Sequence, residues 1–155
     1  MSSPIEFNIY EIFYTFKGNS MKGPELNATV QQKVSDVCQS IMEMGGENAG
    51  FIILYGSAAK GKMSGLSDID IAVYYAGDKE ERFQFRMKIL GRVSDIFDIQ
   101  TFQDLPLSIR KDIMSFGDII YYRDYAELFE MNRKIIREYE DFKPHLDVYY
   151  SCLEV

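Results

Sequence analysis

The sequence has few of the residues that most often carry nucleophilic or metal chemistry. It contains one histidine, His145, and two cysteines, Cys38 and Cys152, among 155 residues. The cysteines have no partners at metal-ligand spacing, so free thiols in a reducing compartment are expected. The lone histidine follows Pro144 near the C-terminus and is expected to be structural. This scarcity excludes a serine–histidine or cysteine–histidine catalytic system.

The chain also lacks an apolar run of the roughly 20 residues that a membrane span needs, and it opens on no charged-then-apolar leader. A cytoplasmic protein without membrane contacts is therefore expected. The formal net charge is -7. Because phosphate backbones are recognised by basic surfaces, direct nucleic-acid binding is not expected, and a basic protein partner fits the charge better.

What is present is the composition of one globular domain, with 46% hydrophobic and 26% charged residues. Apolar periodicity predicts helices at residues 28–44, 79–93, 106–116 and 124–143, and strands at residues 51–55, 68–75, 96–102 and 119–122. The expected fold is therefore α/β (α+β), a small mixed β-sheet flanked by helices. The domain is assigned to residues 24–155, behind an N-terminal extension of residues 1–23.

Local patterns predict three further details of the helices. Asp78 and Glu81 have the spacing of a capping box at the start of the second helix. The buried stripe of that helix is assigned to Phe83, Met87 and Leu90. The last helix is expected to end before Pro144 and to be followed by a shorter helical tail.

The chemically informative segment is Gly56-Ser57, ten further residues, and then Asp68-Ile69-Asp70. A glycine lets the backbone approach a triphosphate closely, and Ser57 at the start of a short helix can bind phosphate oxygens. Carboxylates at positions i and i+2 of a strand point to the same side, so Asp68 and Asp70 can converge on a metal ion. Mg²⁺ prefers such oxygen ligands, and two ions can clamp the attacking and leaving oxygens of a phosphoryl transfer.

A third carboxylate is expected on the next strand. Asp98 is preferred because an adjacent strand lies only about 4.8 Å away, while Asp95 would face the other side and ranks second. Lys60 and Lys62 are each as consistent with a solvated surface as with a phosphate contact, and Lys60 is the better candidate. Two roles stay open for Ser67: a connector in the loop, or a residue that orients the carboxylate of Asp68.

The segment GSAAKGKMSGLSDIDIAV resembles the signature of the polymerase-beta-like nucleotidyltransferase superfamily, with the spacing of its minimal nucleotidyltransferase (MNT) branch. FDIQTFQDLPLSIRKDI and GDIIYYRD resemble the third-carboxylate strand, the proline-led helix and the closing strand of that branch, and REYEDFKP resembles its last helix. Lys60 stands where the branch often has arginine. The segment before Met21 has no counterpart in the branch, so Met21 is an alternative start of the shared unit.

The resemblance implies the polymerase-beta-like fold and an antitoxin paired with a helical HEPN toxin, which it silences by transferring AMP from ATP to a tyrosine hydroxyl. It assigns the triphosphate to Gly56 and Ser57, the Mg²⁺ ions to Asp68 and Asp70, and the attacking hydroxyl to Asp98. Two other functions stay open. The chain could neutralise its partner by binding alone, or it could modify a small molecule such as an antibiotic.

Overall fold

The computed structural model describes residues 28–56 and 68–153 of the chain. The N-terminal extension assigned to residues 1–23 lies outside the described residues. So do three of the predicted binding residues, Ser57, Lys60 and Ser67, together with the alternative Lys62.

A four-stranded mixed sheet forms the centre of the described part of the chain. Its strands are β1 (Ala49–Tyr55), β2 (Ile69–Tyr75), β3 (Phe97–Thr101) and β4 (Asp118–Tyr122). They lie in the order β3-β2-β1-β4, with β1 antiparallel to both of its neighbours and β2 parallel to β3. This arrangement confirms the predicted small mixed sheet, and each strand agrees with its sequence assignment to within two residues.

Helices cover both faces of this sheet. They are α1 (Ala28–Gly45), α2 (Lys79–Leu90), α3 (Leu107–Phe116) and α4 (Tyr125–Leu153), with short 3₁₀ turns at Gly46–Asn48 and Phe102–Asp104. The layer under α1 and α2 includes Val34, Ile41, Leu54, Ile71, Phe85, Ile89 and Ile99. The layer under α3 and α4 includes Phe51, Ile53, Ala72, Phe102, Ile113, Leu128 and Ile135.

Alternation along β2 divides its side chains between these two layers. Ile69, Ile71 and Val73 are fully buried against α1 and α2. Ala72 faces the layer under α3 and α4, and Asp70 shares that face because strand side chains repeat every two residues. The carboxylates therefore lie on the same side of the sheet as α3 and α4.

The capping box of α2 is confirmed, but the buried stripe assigned to this helix is wrong. Asp78 Oδ1 accepts a hydrogen bond from the Glu81 backbone N–H at 2.8 Å. Phe83 is 51% and Met87 41% exposed, and only Leu90 of the assigned stripe is partly buried against the core. The buried residues of α2 are instead Phe85 and Ile89.

Polar contacts explain why α2 buries the face that carries Phe85 and Ile89. Arg82 binds the carboxylate of Asp104 through two nitrogens, and Arg86 Nε donates to the Ile99 carbonyl at 2.8 Å. Residues 82, 85, 86 and 89 share one face of a helix with 3.6 residues per turn. The arginines thus turn Phe85 inward, where its ring stacks on Tyr75 with centroids 4.4 Å apart.

The last helix is also longer than predicted. α4 continues through Pro144 to Leu153 as one helix of 29 residues. Proline removes one backbone hydrogen bond and crowds the preceding turn, which often bends a helix without ending it. Among the described residues, no helix has the combination of length and apolar character that crossing a bilayer requires.

The two cysteines differ in burial, so the reactivity of their thiols can be used to follow the unfolding of the domain. Cys38 on α1 is fully buried, and burial raises the pKa of its thiol to about 12, whereas Cys152 near the end of α4 is exposed. Because the thiolate is the reactive form, a disulfide reagent at neutral pH should modify Cys152 rapidly and Cys38 only after unfolding. Counting modified thiols against urea concentration tests this, with Cys152→Ser as the control. Two fast-reacting thiols in the native protein would contradict the packing of α1.

Candidate active site

The strand register places the predicted carboxylates in one row across the sheet. Asp70 on β2 is the direct partner of Asp98 on the parallel strand β3. On its other side, Asp70 pairs with Tyr55 at the end of β1. Neighbouring strands lie about 4.8 Å apart, so these three side chains are adjacent on the same face. Asp95 lies in the turn before β3 and is exposed.

The electrostatics of the row also show that the acids are close together. The pKa of Asp70 is raised, first by partial burial and then by the negative charges of Asp98 and Asp68. Burial also raises the pKa of Tyr55 to about 12, with smaller contributions from Asp70 and Asp98. At neutral pH, Tyr55 therefore keeps its proton and presents a hydrogen-bond donor beside the acids.

Asp68 directly precedes β2 and is exposed. Within residues 28–56 and 68–153, no three acidic, histidine or cysteine side chains are gathered closely enough to hold a metal ion by themselves. The structure thus brings Asp70 and Asp98 together and leaves Asp68 near them without closing a three-carboxylate cluster. Mg²⁺ is commonly held by one or two carboxylates together with substrate phosphates, so the Asp70–Asp98 pair fits that chemistry.

Gln100 supports the third carboxylate. Its Nε2 donates a hydrogen bond to Asp98 Oδ1 at 3.0 Å, from two residues further along the same face of β3. This bond fixes the position of one oxygen of the Asp98 carboxylate. On the opposite side of Asp70, Gly56 has a φ of 71°, and a Cβ built there would overlap the Asp70 carboxylate. Glycine is therefore required at this point for two separate reasons, its backbone conformation and its contact with the acid.

A cleft of about 330 Å³ opens next to the row of carboxylates. It is bounded by the end of β1 and by α3, with these lining residues: Tyr55, Gly56, Ile109, Asp112, Ile113, Phe116 and Gly117. Because β1 lies between β2 and β4, Tyr55 separates the cleft from Asp70. Its volume falls at the lower end of the range typical of small-ligand sites.

Sequence reasoning did not identify Tyr55 or the lining residues from α3. Tyr55 appeared only as the last residue of an apolar strand, and nothing in its local pattern showed that it would pair with Asp70. The spacing of Gln100 from Asp98 did place both on one face, which was the available signal for their hydrogen bond. The cleft depends on how α3 packs against β1, and a single helix pattern does not specify that packing.

Comparison with known proteins identifies the class to which this chain belongs. The family model described as polymerase beta, nucleotidyltransferase matches residues 33–126, more than half of the chain. A protein of Methanocaldococcus jannaschii, provisionally named a protein adenylyltransferase, is 36% identical over 94 residues. That match covers 57% of this chain and 70% of the relative. The chain belongs to the polymerase beta nucleotidyltransferase family.

Solved structures agree on the fold. A chain from a toxin–antitoxin complex with AMP-PNP superimposes with a TM-score of 0.64 at 17% identity, covering 77% of this chain and 98% of the other. A chain from a Shewanella oneidensis complex of tri-AMPylated HEPN toxin with MNT antitoxin gives 0.61 at 16% identity, covering 81% and 99%. At such low identity these likenesses establish the polymerase-beta-like architecture and nothing more.

A side chain at position 56 would both strain the backbone and overlap the Asp70 carboxylate. A second glycine, Gly46, allows these two effects to be measured separately. Gly46 also has a positive φ, of 53°, but a Cβ there would meet open space. Gly46→Ala should lower the free energy of unfolding by roughly 1–3 kcal/mol and leave the site intact. Gly56→Ala should cost at least as much and also displace Asp70. Urea unfolding and Mn²⁺ binding by calorimetry measure both effects, and unchanged Mn²⁺ affinity in Gly56→Ala would contradict this geometry.

Because the pKa of Asp70 is raised, we predict that its negative charge lowers the free energy of unfolding of the metal-free protein. A carboxyl whose pKa is higher folded than unfolded binds its proton more tightly when folded, so the penalty appears as pH rises through the unfolded pKa. This loss of stability is complete above the pKa of Asp70 in the folded protein. It is absent at a pH well below the pKa of Asp70 in the unfolded chain. Asp70→Asn should therefore raise the Tm at neutral pH, and the gain should shrink towards pH 3.

Added Mg²⁺ should reverse this difference, since it should raise the Tm of the unmodified chain and leave Asp70→Asn unchanged. Asp95→Asn is the control, because Asp95 is exposed and outside the carboxylate row. A Tm for Asp70→Asn that lies below that of the unmodified metal-free chain would contradict the assigned repulsion.

Proposed function

We propose that this nucleotidyltransferase moves AMP from ATP to a tyrosine hydroxyl of a helical HEPN-type partner, and that it serves in the cytoplasm as the antitoxin of that pair. The observation that carries the proposal is the in-register pairing of Asp70 with Asp98 across β2 and β3. The name of the M. jannaschii relative supports protein adenylylation as the reaction. The AMPylated HEPN toxin in the S. oneidensis complex supports the choice of acceptor.

In the proposed reaction, the acceptor oxygen attacks the α-phosphorus of ATP and forms a new phosphorus–oxygen bond. The bond from that phosphorus to the bridging oxygen breaks, and pyrophosphate leaves. Asp98 takes the proton of the attacking hydroxyl, while Gln100 holds one oxygen of this carboxylate in place. Gly56 and Ser57 bind the pyrophosphate portion, with Ser67 and Lys60 assigned beside them.

Asp68, Asp70 and Asp98 are assigned as the ligands of two Mg²⁺ ions. Such ions, when bound, neutralise phosphate charge and align the attacking and leaving oxygens. The donor set suits Mg²⁺, because carboxylate oxygens are its preferred protein ligands and because the charge repulsion at Asp70 would be relieved by a cation. The cleft beside Tyr55 has a volume suited to the nucleoside part of ATP.

The central test is label transfer. The purified chain is incubated with Mg²⁺, ATP labelled at the α-phosphate, and a candidate helical HEPN-type partner protein. Label should appear on a tyrosine of that protein, and Asp70→Asn should reduce the rate by roughly 100-fold or more. Asp95→Asn should retain full activity, which controls for the loss of an acidic side chain as such. Full transfer by Asp70→Asn would exclude the assigned site.

Neutralisation by binding alone is the competing function within the same pair. The raised pKa of Asp70 argues against it, because a site without chemistry would keep clustered acids that repel one another and contribute no stability. Expression of an Asp68→Asn, Asp70→Asn double variant together with the partner decides between them. Growth arrest supports transfer, whereas continued silencing supports occlusion. Label transfer to a panel of aminoglycosides would instead indicate a small-molecule acceptor.

A further inference from the structure

The hydroxyl of Tyr55 is a polar group of the site to which the proposed reaction gives no role. Tyr55 ends β1, directly before the bend at Gly56, and its ring packs against the layer under α3 and α4. Asp70 and Asp98 act on this hydroxyl through their charges and not through a hydrogen bond. A phenol beside the carboxylates is therefore left to donate a hydrogen bond to a bound molecule.

The cleft beside Tyr55 has apolar walls. Ile109, Ile113 and Phe116 of α3 line it, and the ring of Phe116 is 67% exposed although it is large and apolar. Among the described residues that line this cleft, Tyr55 and Asp112 have polar side chains, and only Tyr55 carries a hydrogen-bond donor. An exposed aromatic ring next to apolar side chains suits the flat face of a nucleobase, which stacks on such rings.

The order of the strands determines which groups a bound nucleotide would pass. Asp98, Asp70 and Tyr55 follow one another across β3, β2 and β1, and the cleft lies beyond Tyr55. The carboxylates, with their assigned ions, attract the α-phosphate, whereas the apolar walls suit the base. The ribose is the part of a nucleotide that joins the α-phosphate to the base. A nucleotide that occupies both places therefore lays its ribose over Tyr55.

We propose that the Tyr55 hydroxyl donates a hydrogen bond to a ribose hydroxyl of the bound nucleotide and thereby selects ribonucleotides over deoxyribonucleotides. The inference rests on the proposed function, since it names a specificity-determining residue of the same site. A site that hydrogen-bonds a substrate hydroxyl rejects the analogue that lacks it, because the polar group of the protein is then left unpaired. Asp112, the other polar side chain of the cleft, already pairs with the ammonium group of Lys111 at 3.6 Å.

Nucleotide binding without an acceptor tests this contact with the full chain. Calorimetry in the presence of Mg²⁺ compares ATP with 2′-deoxy-ATP and with 3′-deoxy-ATP, each of which lacks one ribose hydroxyl. The unmodified chain should bind one of the two deoxy forms about three- to tenfold more weakly than ATP, as expected for one neutral hydrogen bond. Tyr55→Phe should bind ATP and that deoxy form equally, both with the affinity that the unmodified chain has for the deoxy form.

Tyr74→Phe is the matched control. Tyr74 lies on β2, on the face that carries Asp70 but at the other end of the strand, and its ring stacks on Phe51 with centroids 5.1 Å apart. Loss of its hydroxyl should leave the three dissociation constants unchanged. Both substitutions keep the aromatic ring, so neither should unfold the domain. Equal effects of Tyr74→Phe and Tyr55→Phe would overturn the assignment.

Phe116→Ala distinguishes contact with the base from contact with the ribose. Loss of the ring should weaken the binding of all three nucleotides by the same factor, at least about fivefold, because each carries the same base. The preference for ATP over the deoxy form should remain in this variant. Unchanged affinity in Phe116→Ala would place the base outside the cleft, and the ribose would then have no reason to lie over Tyr55.

Two other results would reject the ribose contact. Equal weakening of all three nucleotides by Tyr55→Phe would mean that the phenol acts on the phosphates or on the fold. Equal affinity of the unmodified chain for the three would mean that neither ribose hydroxyl is recognised. Because no acceptor is present, ribose discrimination without label transfer contradicts the proposed function alone, and transfer without discrimination contradicts this inference alone. A chain that binds no ATP contradicts both.

Discussion

The parallel pairing of β2 with β3 is the constraint on which the site depends. It sets Asp70 directly against Asp98, and like charges on adjacent strands repel one another. The opposite face of the same strands compensates, because Ile71 and Ile99 are fully buried there. A shift of one residue would move those side chains to the partly exposed end of the other face and bring the acids into the apolar layer under α1 and α2. The apolar face thus fixes the position of charges that would otherwise separate.

β3 is an edge strand, so its position needs support from outside the sheet. α2 provides that support through Arg82, which binds Asp104 after the strand, and through Arg86, which binds the Ile99 carbonyl. The first contact also holds the pKa of Asp104 below its usual range. Individual contacts of this kind contribute only about 1 kcal/mol each. Together they keep the strand that carries Asp98 in register.

The parts of the molecule that sequence reasoning predicted are those set by local pattern. Alternation along β2 placed the acids on one face, and Asp78 with Glu81 marked the start of α2 correctly. The buried face of α2 was missed because residues 83–90 carry two apolar stripes, and arginine contacts with a distant strand select between them. Tyr55 was missed because its place beside Asp70 exists only through register. Sequence pattern identified the acids, whereas packing determines their neighbours.

α4 packs against the face of the sheet that carries the carboxylates. Transfer between two molecules is accelerated mainly by holding the reacting groups in a fixed orientation. α4 is one helix from Tyr125 to Leu153, and its first half is anchored by Leu128 and Ile135 in the layer that borders the carboxylate face. The apolar contacts of α4 therefore help to fix the sheet face from which Asp70 and Asp98 project.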